Sequence, residues 1–382
     1  MKEKETYILM NGDTPCLSFP KDFKTYTVLN NEMLPYALKD CIDRVSPIRG
    51  LFMLQDYLSE RVLDPGRENA KAILNITNLP QSSEISDRLR IVFTCRGLKM
   101  EDNFWLKQNQ ENLSFSDVCL RTRPISEKSF EVAICGYHIL AKREELIADL
   151  ATGGKSAKFW NHDQGKLYLW KLEEDYGPDA YMRERVSKIV QKAGGNAITY
   201  KLRKRAGKSF SVAECFTSDK VSLVKASELE DYFKNNADIN NGRTLMEYID
   251  ENWKKEFANM VVVDYVFSNS RRYTDQFGFF VDNDTQELTF APLYNFGYAL
   301  FESFLYEELE LCDLDKETYC ATGTPFLQTL QKYAPYATVN FERVQVLTKL
   351  CQTRWKKVKE IKLPLYIYSE NESEEEDYGP SL

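Results

Sequence analysis

Apolar and polar positions alternate with different periods in different parts of the chain. Lys166-Leu-Tyr-Leu-Trp-Lys171 mixes long polar and apolar side chains, as a partly buried strand does. Ala197–Leu202 and Phe210–Phe216 flank a glycine-containing turn at Arg205-Ala-Gly207 and predict a hairpin. Between that strand and hairpin, Pro178 to about Lys192 reads as a helix: proline suits the first turn, and Gly194-Gly195 is a stop. Leu245, Tyr248, Ile249, Trp253, Phe257, Met260, Val261, Asp264 and Tyr265 recur mainly at three and four residues and predict one long helix, ended near Asn269-Ser270. A strand pair follows at Phe277–Val281 and Glu287–Phe290, and helical patterns resume near Phe326 and from Phe341 to Ile361. Nearer the N-terminus, Tyr26–Leu29, Phe104–Leu106 and Val132–Ile134 predict short strands. Pro65–Leu79 has helical spacing, with Ala70, Ala72, Ile73 and Ile76 on one side. The expected organisation is an N-terminal α+β region (1–145), a small mixed α/β lobe (146–225), a mainly helical lobe (226–368) and a tail (369–382).

Composition narrows the class. With 382 residues and 43% hydrophobic positions the chain can bury two or three domain cores. No apolar run approaches the roughly 20 residues of a spanning helix, so no membrane partner is expected. The start, Met-Lys-Glu-Lys-Glu, does not resemble a secretory signal. Nine cysteines, an odd number without a Cys-x-x-Cys pair, fit reduced thiols and a cytoplasmic location. Two histidines, His138 and His162, exclude His-x-x-x-His zinc chemistry and disfavour a histidine-based triad. Six of the acids behind the net charge of −8 lie in the last 13 residues, so the tail is expected to be a disordered solubilising segment on a nearly neutral body. Lys201, Arg203, Lys204, Arg205 and Lys208 crowd one hairpin turn without an interleaved aromatic platform. They read as a solvated tip, and direct nucleic-acid binding is not expected.

Two stretches carry candidate chemistry. Gly154-Lys155-Ser156 resembles the end of a P-loop, but the position of the first glycine is Asp149, whose carboxylate would repel phosphate. Thr152–Lys158 remains a candidate glycine-rich loop over phosphates by another route. Lys171 ends a strand and Glu184 lies on the following helix, the arrangement by which kinases position a phosphate-binding ammonium. Glu173, Glu174 and Asp175 read as a solvated turn that offers Lys171 no better partner.

Ser268-Asn-Ser-Arg-Arg-Tyr-Thr-Asp-Gln-Phe-Gly278, followed by Ala291-Pro-Leu-Tyr-Asn-Phe-Gly297, has the layout of a kinase catalytic loop and metal-binding loop. These loops resemble those of the HipA-like kinases, specifically their clostridial-type relatives, which read roughly G-N-x-D-R-H-x-x-N-F-G and A-P-x-[FY]-D-x-G. Arg96–Lys107 is similar to the family's G-L-S-x-x-D-x-Y-W segment. Thr152-x-Gly154-x-x-x-Lys158 is similar to its phosphate loop, and Gly165–Lys171 to its nucleotide-binding strand. The resemblance spans about residues 65–300 in the right order. It implies an α+β, two-lobed HipA/protein-kinase-like fold with an extra N-terminal α+β region. It also implies nucleotide contacts from Thr152, Gly154, Lys158, Lys171 and Glu184, although the best register puts Arg183 in the helix glutamate position.

The departures fall on the chemistry. The family's catalytic aspartate is Arg271, its metal-binding asparagine is Gln276, its metal-binding aspartate is Asn295 and its histidine is Tyr273. Arginine is donor-only and cannot accept a hydroxyl proton. Mg²⁺ prefers hard oxygens with one or two carboxylates. Aspartate to arginine and aspartate to asparagine together make the pocket three charge units more positive, which disfavours a dication. The expectation is a pseudokinase acting through a protein partner and metal-independent nucleotide binding, with ATP the candidate ligand and Mg²⁺ disfavoured. The alternatives are an active atypical Ser/Thr kinase using ATP and Mg²⁺, with Asp275, Asp282 or Asp284 compensating, and an interaction protein that binds no nucleotide. The family also implies a DNA-binding antitoxin-like partner.

Overall fold

The computed structural model describes residues 5–174, 178–299, 314–342, 344 and 347–372; the acidic tail beyond 372 lies outside the described residues. The strands are β1 (Thr6–Asn11), β2 (Thr14–Pro20), β3 (Thr27–Val28), β4 (Phe104–Gln108), β5 (Lys158–Asp163), β6 (Lys166–Leu172), β7 (Tyr200–Arg205), β8 (Lys208–Glu214), β9 (Val221–Lys225), β10 (Gly278–Asp282), β11 (Leu288–Phe290), β12 (Thr318–Tyr319) and β13 (Thr324–Pro325). The helices are α1 (Pro47–Ser59), α2 (Ala70–Thr77), α3 (Ile85–Cys95), α4 (Phe115–Val118), α5 (Lys128–Ala133), α6 (Ile147–Leu150), α7 (Asp179–Lys192), α8 (Ala226–Asn235), α9 (Leu245–Asn252), α10 (Lys254–Val266), α11 (Phe326–Tyr333) and α12 (Lys349–Glu372).

The chain forms two compact units that interleave in sequence. The first comprises Met1–Asp175, Tyr200–Leu245 and Gly278–Ala291; the second comprises Tyr176–Thr199, Met246–Phe277 and Pro292–Leu382.

The first unit holds three sheets, ordered β3-β2-β1-β4, β5-β6-β8-β7 and β11-β10-β9. The strand bearing Lys171 and the basic hairpin share one sheet, as their period-two patterns predict. The hairpin turns on Ala206 (φ 50°) and Gly207 (φ 76°), two left-handed residues whose twist suits a two-residue connection. The N-terminal region is not a separate layer: Leu9, Phe19, Leu54 and Trp105 belong to the same hydrophobic core as Phe159, Trp160, Phe210 and Val212. Arg61, 2% exposed, ties this core together. It grips Asp102 through two nitrogens (2.9 and 2.7 Å) and donates to the carbonyls of Gly97 and Phe104 and to the Tyr57 hydroxyl. Asp102 and Trp105 both lie in the segment that resembles the family's upstream motif. Trp105 is fully buried and its Nε1 donates to Gly12 O at 2.7 Å.

The second unit is mainly helical. α10 is buried almost all round, from Phe257 to Val266, and packs against α11 and α12. A fully surrounded helix has no polar stripe, which is why its apolar spacing merges with that of α9. The single helix expected across Leu245–Tyr265 is in fact two, broken at Trp253, where φ is −138°. Two other expectations change. Val132–Ile134 is not a strand; Lys128–Ala133 forms α5, whose Phe130 and Val132 are buried. α7, expected on the sheet with Lys171, belongs to the second unit, where Ala197 bridges Leu293 just beyond its C-terminus.

Gly278, the last glycine of the first chemistry-bearing stretch, pairs with Lys225 across β9–β10, and a Cβ there would lie 2.3 Å from Val224 O. Gly278→Ala should therefore strain the β9–β10 ladder and cost about 1–3 kcal/mol, read as a lowered urea midpoint at unchanged slope.

Candidate functional site

The sequence-predicted residues fall into one cluster in each unit. In the first unit, Thr152, Gly154, Lys158 and Lys171 surround the loop that enters β5. The loop's shape is set by buried groups. Thr152 Oγ1 donates to Ala148 O at 2.6 Å and accepts from Trp160 Nε1 at 3.1 Å, so its hydroxyl anchors the loop from beneath. Arg67, 3% exposed, donates to Thr152 O and Lys158 O, both at 3.1 Å, and so clamps the two ends of the loop. Asp149 sits buried under the same segment, accepting from Ser129 Oγ at 2.5 Å; burial pushes its carboxyl up to about 6, against the pull of Arg67. Its place is structural, consistent with the failed P-loop match. Arg67 was not singled out in the sequence, because no local pattern distinguishes it from the surface arginines.

Above this frame the loop is cationic. Gly154 has φ 82°, and a Cβ on it would lie 2.6 Å from Lys158 Nζ, so only glycine lets the ammonium fold over the loop. Lys158 and Lys171 are directly opposed across the β5–β6 ladder, where like charges repel. Burial, then Arg67 and Lys171, push the Lys158 ammonium down to about 7. Two opposed lysines with an arginine beside them raise the local positive potential that an anion would relieve. Contrary to the solvated-turn reading, Glu174 does partner Lys171, at 3.5 Å. Glu184, on α7 in the second unit, pairs with Lys188 one turn on, at 2.9 Å.

The second unit carries the two chemistry-bearing loops, and their centre is a buried ion pair. Arg272 and Asp264 are both fully buried, joined through Arg272 Nη2 and Nε at 2.8 and 2.9 Å. Asp264 also accepts from Asn269 Nδ2 at 2.8 Å and from the Tyr319 hydroxyl at 2.6 Å. Burial alone would lower the Arg272 pKa, but Asp264 holds it above the usual value. Arg272 Nη1 donates to the carbonyls of Gln276 (3.2 Å), Tyr294 and Asn295 (3.4 Å), fastening the first loop to the second. The residues at the departures surround this anchor. Arg271 is exposed, its guanidinium 6.0 Å from the Tyr298 ring centre. Gln276 presents a buried Oε1 with no hydrogen-bond partner. Asn295 takes a left-handed φ of 61°. Gly297 is closely approached by Arg183: a Cβ on Gly297 would lie 2.6 Å from Arg183 Nη2. Arg183 itself is buried and paired with Asp179.

This donor set does not fit Mg²⁺. At the two family metal positions the side-chain oxygens, those of Gln276 and Asn295, are neutral, and guanidinium groups of Arg183 and Arg272 pack against the second loop. Among the described residues no group of three or more His, Cys, Asp or Glu could hold a metal ion. Asp282, a candidate for compensation, spends a carboxylate oxygen on the backbone N–H groups of Asp284 (2.9 Å) and Thr285 (2.8 Å), capping its own turn.

No family model matches this sequence, and no curated protein matches it. Solved structures do. HipA of Shewanella oneidensis MR-1, in a toxin–antitoxin complex with HipB and operator DNA, superposes with a TM-score of 0.51 at 11% identity, over 94% of this chain and 91% of that one. The Helicobacter pylori proinflammatory kinase CtkA matches with a TM-score of 0.39 at 15% identity, over 56% of this chain and 89% of that one. The fold is thus HipA-like: an α+β architecture of the kinase-like class. Among the described residues no helix is long and apolar enough to cross a membrane.

The two clusters predict opposite responses to loss of a cation. Arg272→Met strands Asp264 as a buried unpaired carboxylate and should cost about 3–5 kcal/mol in equilibrium unfolding. Lys158→Met should stabilise. The Lys158 pKa lies below the ordinary lysine value in the folded state, so folding is progressively penalised as pH falls through the range between them. At pH 7 the gain should be seen as a raised melting temperature.

Proposed function

We propose that this HipA-like protein is a pseudokinase that holds a polyphosphate ligand, ATP or a related nucleotide, without a metal, transfers no phosphate, and acts through a protein partner. The observation that carries this reading is the donor set of the second unit's loops. Arg271 stands where the family resemblance expects the proton-accepting aspartate, and Asn295 where it expects the metal carboxylate. A guanidinium cannot take the proton of an attacking hydroxyl. It can hold phosphate oxygens in a planar fork, a role otherwise served by a metal bridge. The opposed Lys158 and Lys171 support a polyanion as ligand, since each added phosphate charge relieves repulsion already present in the fold. A DNA-binding antitoxin-like partner is the class the resemblance suggests; the Shewanella HipA complex contains HipB.

Phosphate binding should be proton-linked. Around Lys158, burial, Arg67, Lys171 and Lys225 oppose its charge, and Glu101 favours it. A bound anion favours the ammonium, so affinity should rise as pH falls from 8 to 6, by roughly tenfold if one proton is taken up. The direct test of the pseudokinase reading is transfer of labelled γ-phosphate with Mg²⁺ or Mn²⁺. No label should reach the protein itself or generic Ser/Thr substrates. Arg271→Asp alone should restore nothing, because Asn295 still lacks a metal carboxylate. Robust autophosphorylation of the unmodified protein would overturn the assignment in favour of an active atypical kinase.

A further inference from the structure

The geometry points to Glu174 as a tethered anion that occupies Lys171 and the Ser156 hydroxyl beside the phosphate loop of the first unit and must be displaced before a polyphosphate can bind. The inference rests on the anion-binding reading of that loop. Glu174 lies two residues beyond β6, and a single carboxylate oxygen, Oε1, makes two contacts. It accepts from Ser156 Oγ at 2.5 Å and lies 3.5 Å from Lys171 Nζ. Ser156 belongs to the glycine-rich loop and Lys171 to the adjacent strand. One oxygen therefore bridges loop and strand in the way a phosphate oxygen would.

The strength of this contact suits a gate rather than a permanent closure. Lys171 and Glu174 side chains keep 22% and 27% of their exposure, and ion pairs at that exposure are weak and screened by salt. Covalent tethering nevertheless gives the carboxylate an effective concentration of the order of millimolar at the loop. Glu174 contributes one charge, beside Lys171, while Asp149 acts on Arg67 and Glu101 on Lys158. A ligand with several anionic oxygens gains from both Lys158 and Lys171 and can outcompete Glu174; a small monoanion gains little. Glu174 would thereby set both the resting state of the loop and its preference for polyanions.

The test is titration of the full-length protein with inorganic tripolyphosphate in EDTA, comparing the unmodified protein, Glu174→Gln and Glu173→Gln. The last removes the same charge one residue away and controls for general electrostatics. Glu174→Gln should bind about tenfold more tightly than both others, and Lys158→Met should abolish that gain. Ser156→Ala, which removes only the hydrogen bond, should show a smaller gain, about two- to threefold. If the unmodified protein binds and Glu174→Gln and Glu173→Gln tighten equally, the gate is overturned while the anion-binding reading stands. If no variant binds tripolyphosphate, the anion-binding reading fails and the gate with it.

Discussion

Buried guanidinium groups hold the loops of this protein by their carbonyl oxygens, and the organisation of the second unit depends on one of them. Arg272 is fully buried against Asp264, and its remaining donors close on the carbonyls of Gln276, Tyr294 and Asn295. A buried ion pair is stable only when its other hydrogen-bonding valences are filled. Here Asn269 and Tyr319 fill those of Asp264. The same device recurs in the first unit: Arg61 gathers Gly97, Phe104 and Asp102, and Arg67 clamps Thr152 and Lys158. Loops fixed by side chains from below are free to vary in the side chains they present above.

That division accounts for which motif residues persist on the resemblance to HipA-like kinases. Asn269, Arg272, Gly278, Gly297 and Trp105 match the family pattern, and each has a packing or anchoring task visible in the fold. Arg271, Gln276 and Asn295 depart from it. Arg271 is exposed, and the side-chain oxygen of Gln276 has no partner. An arginine at this exposed position sets local charge without disturbing the frame. The pseudokinase proposal is therefore compatible with an intact fold.

Much of the architecture was legible because local signals agreed with the final contacts. The β7–β8 hairpin follows from alternation around Ala206-Gly207, α7 from its proline start and double-glycine stop, and β10–β11 from two short apolar runs around a polar turn. Where the reading failed, tertiary context decided. The break at Trp253 left no trace in a spacing that continues through it, and Val132–Ile134 has a strand-like composition but too few residues to outweigh helical packing. Glu174, which pairs with Lys171 three residues away, looked in the sequence like one of several turn acids. Arg67 carries no sequence signal at all; only its burial reveals it.

The central proposal is that this protein recognises phosphate without a divalent cation. Calorimetry with ATP, run once with excess Mg²⁺ and once in EDTA, tests it most directly. The account predicts weak binding that survives EDTA and is eroded by added salt. Binding that appears only with Mg²⁺ would contradict it, because phosphate recognition would then require a metal.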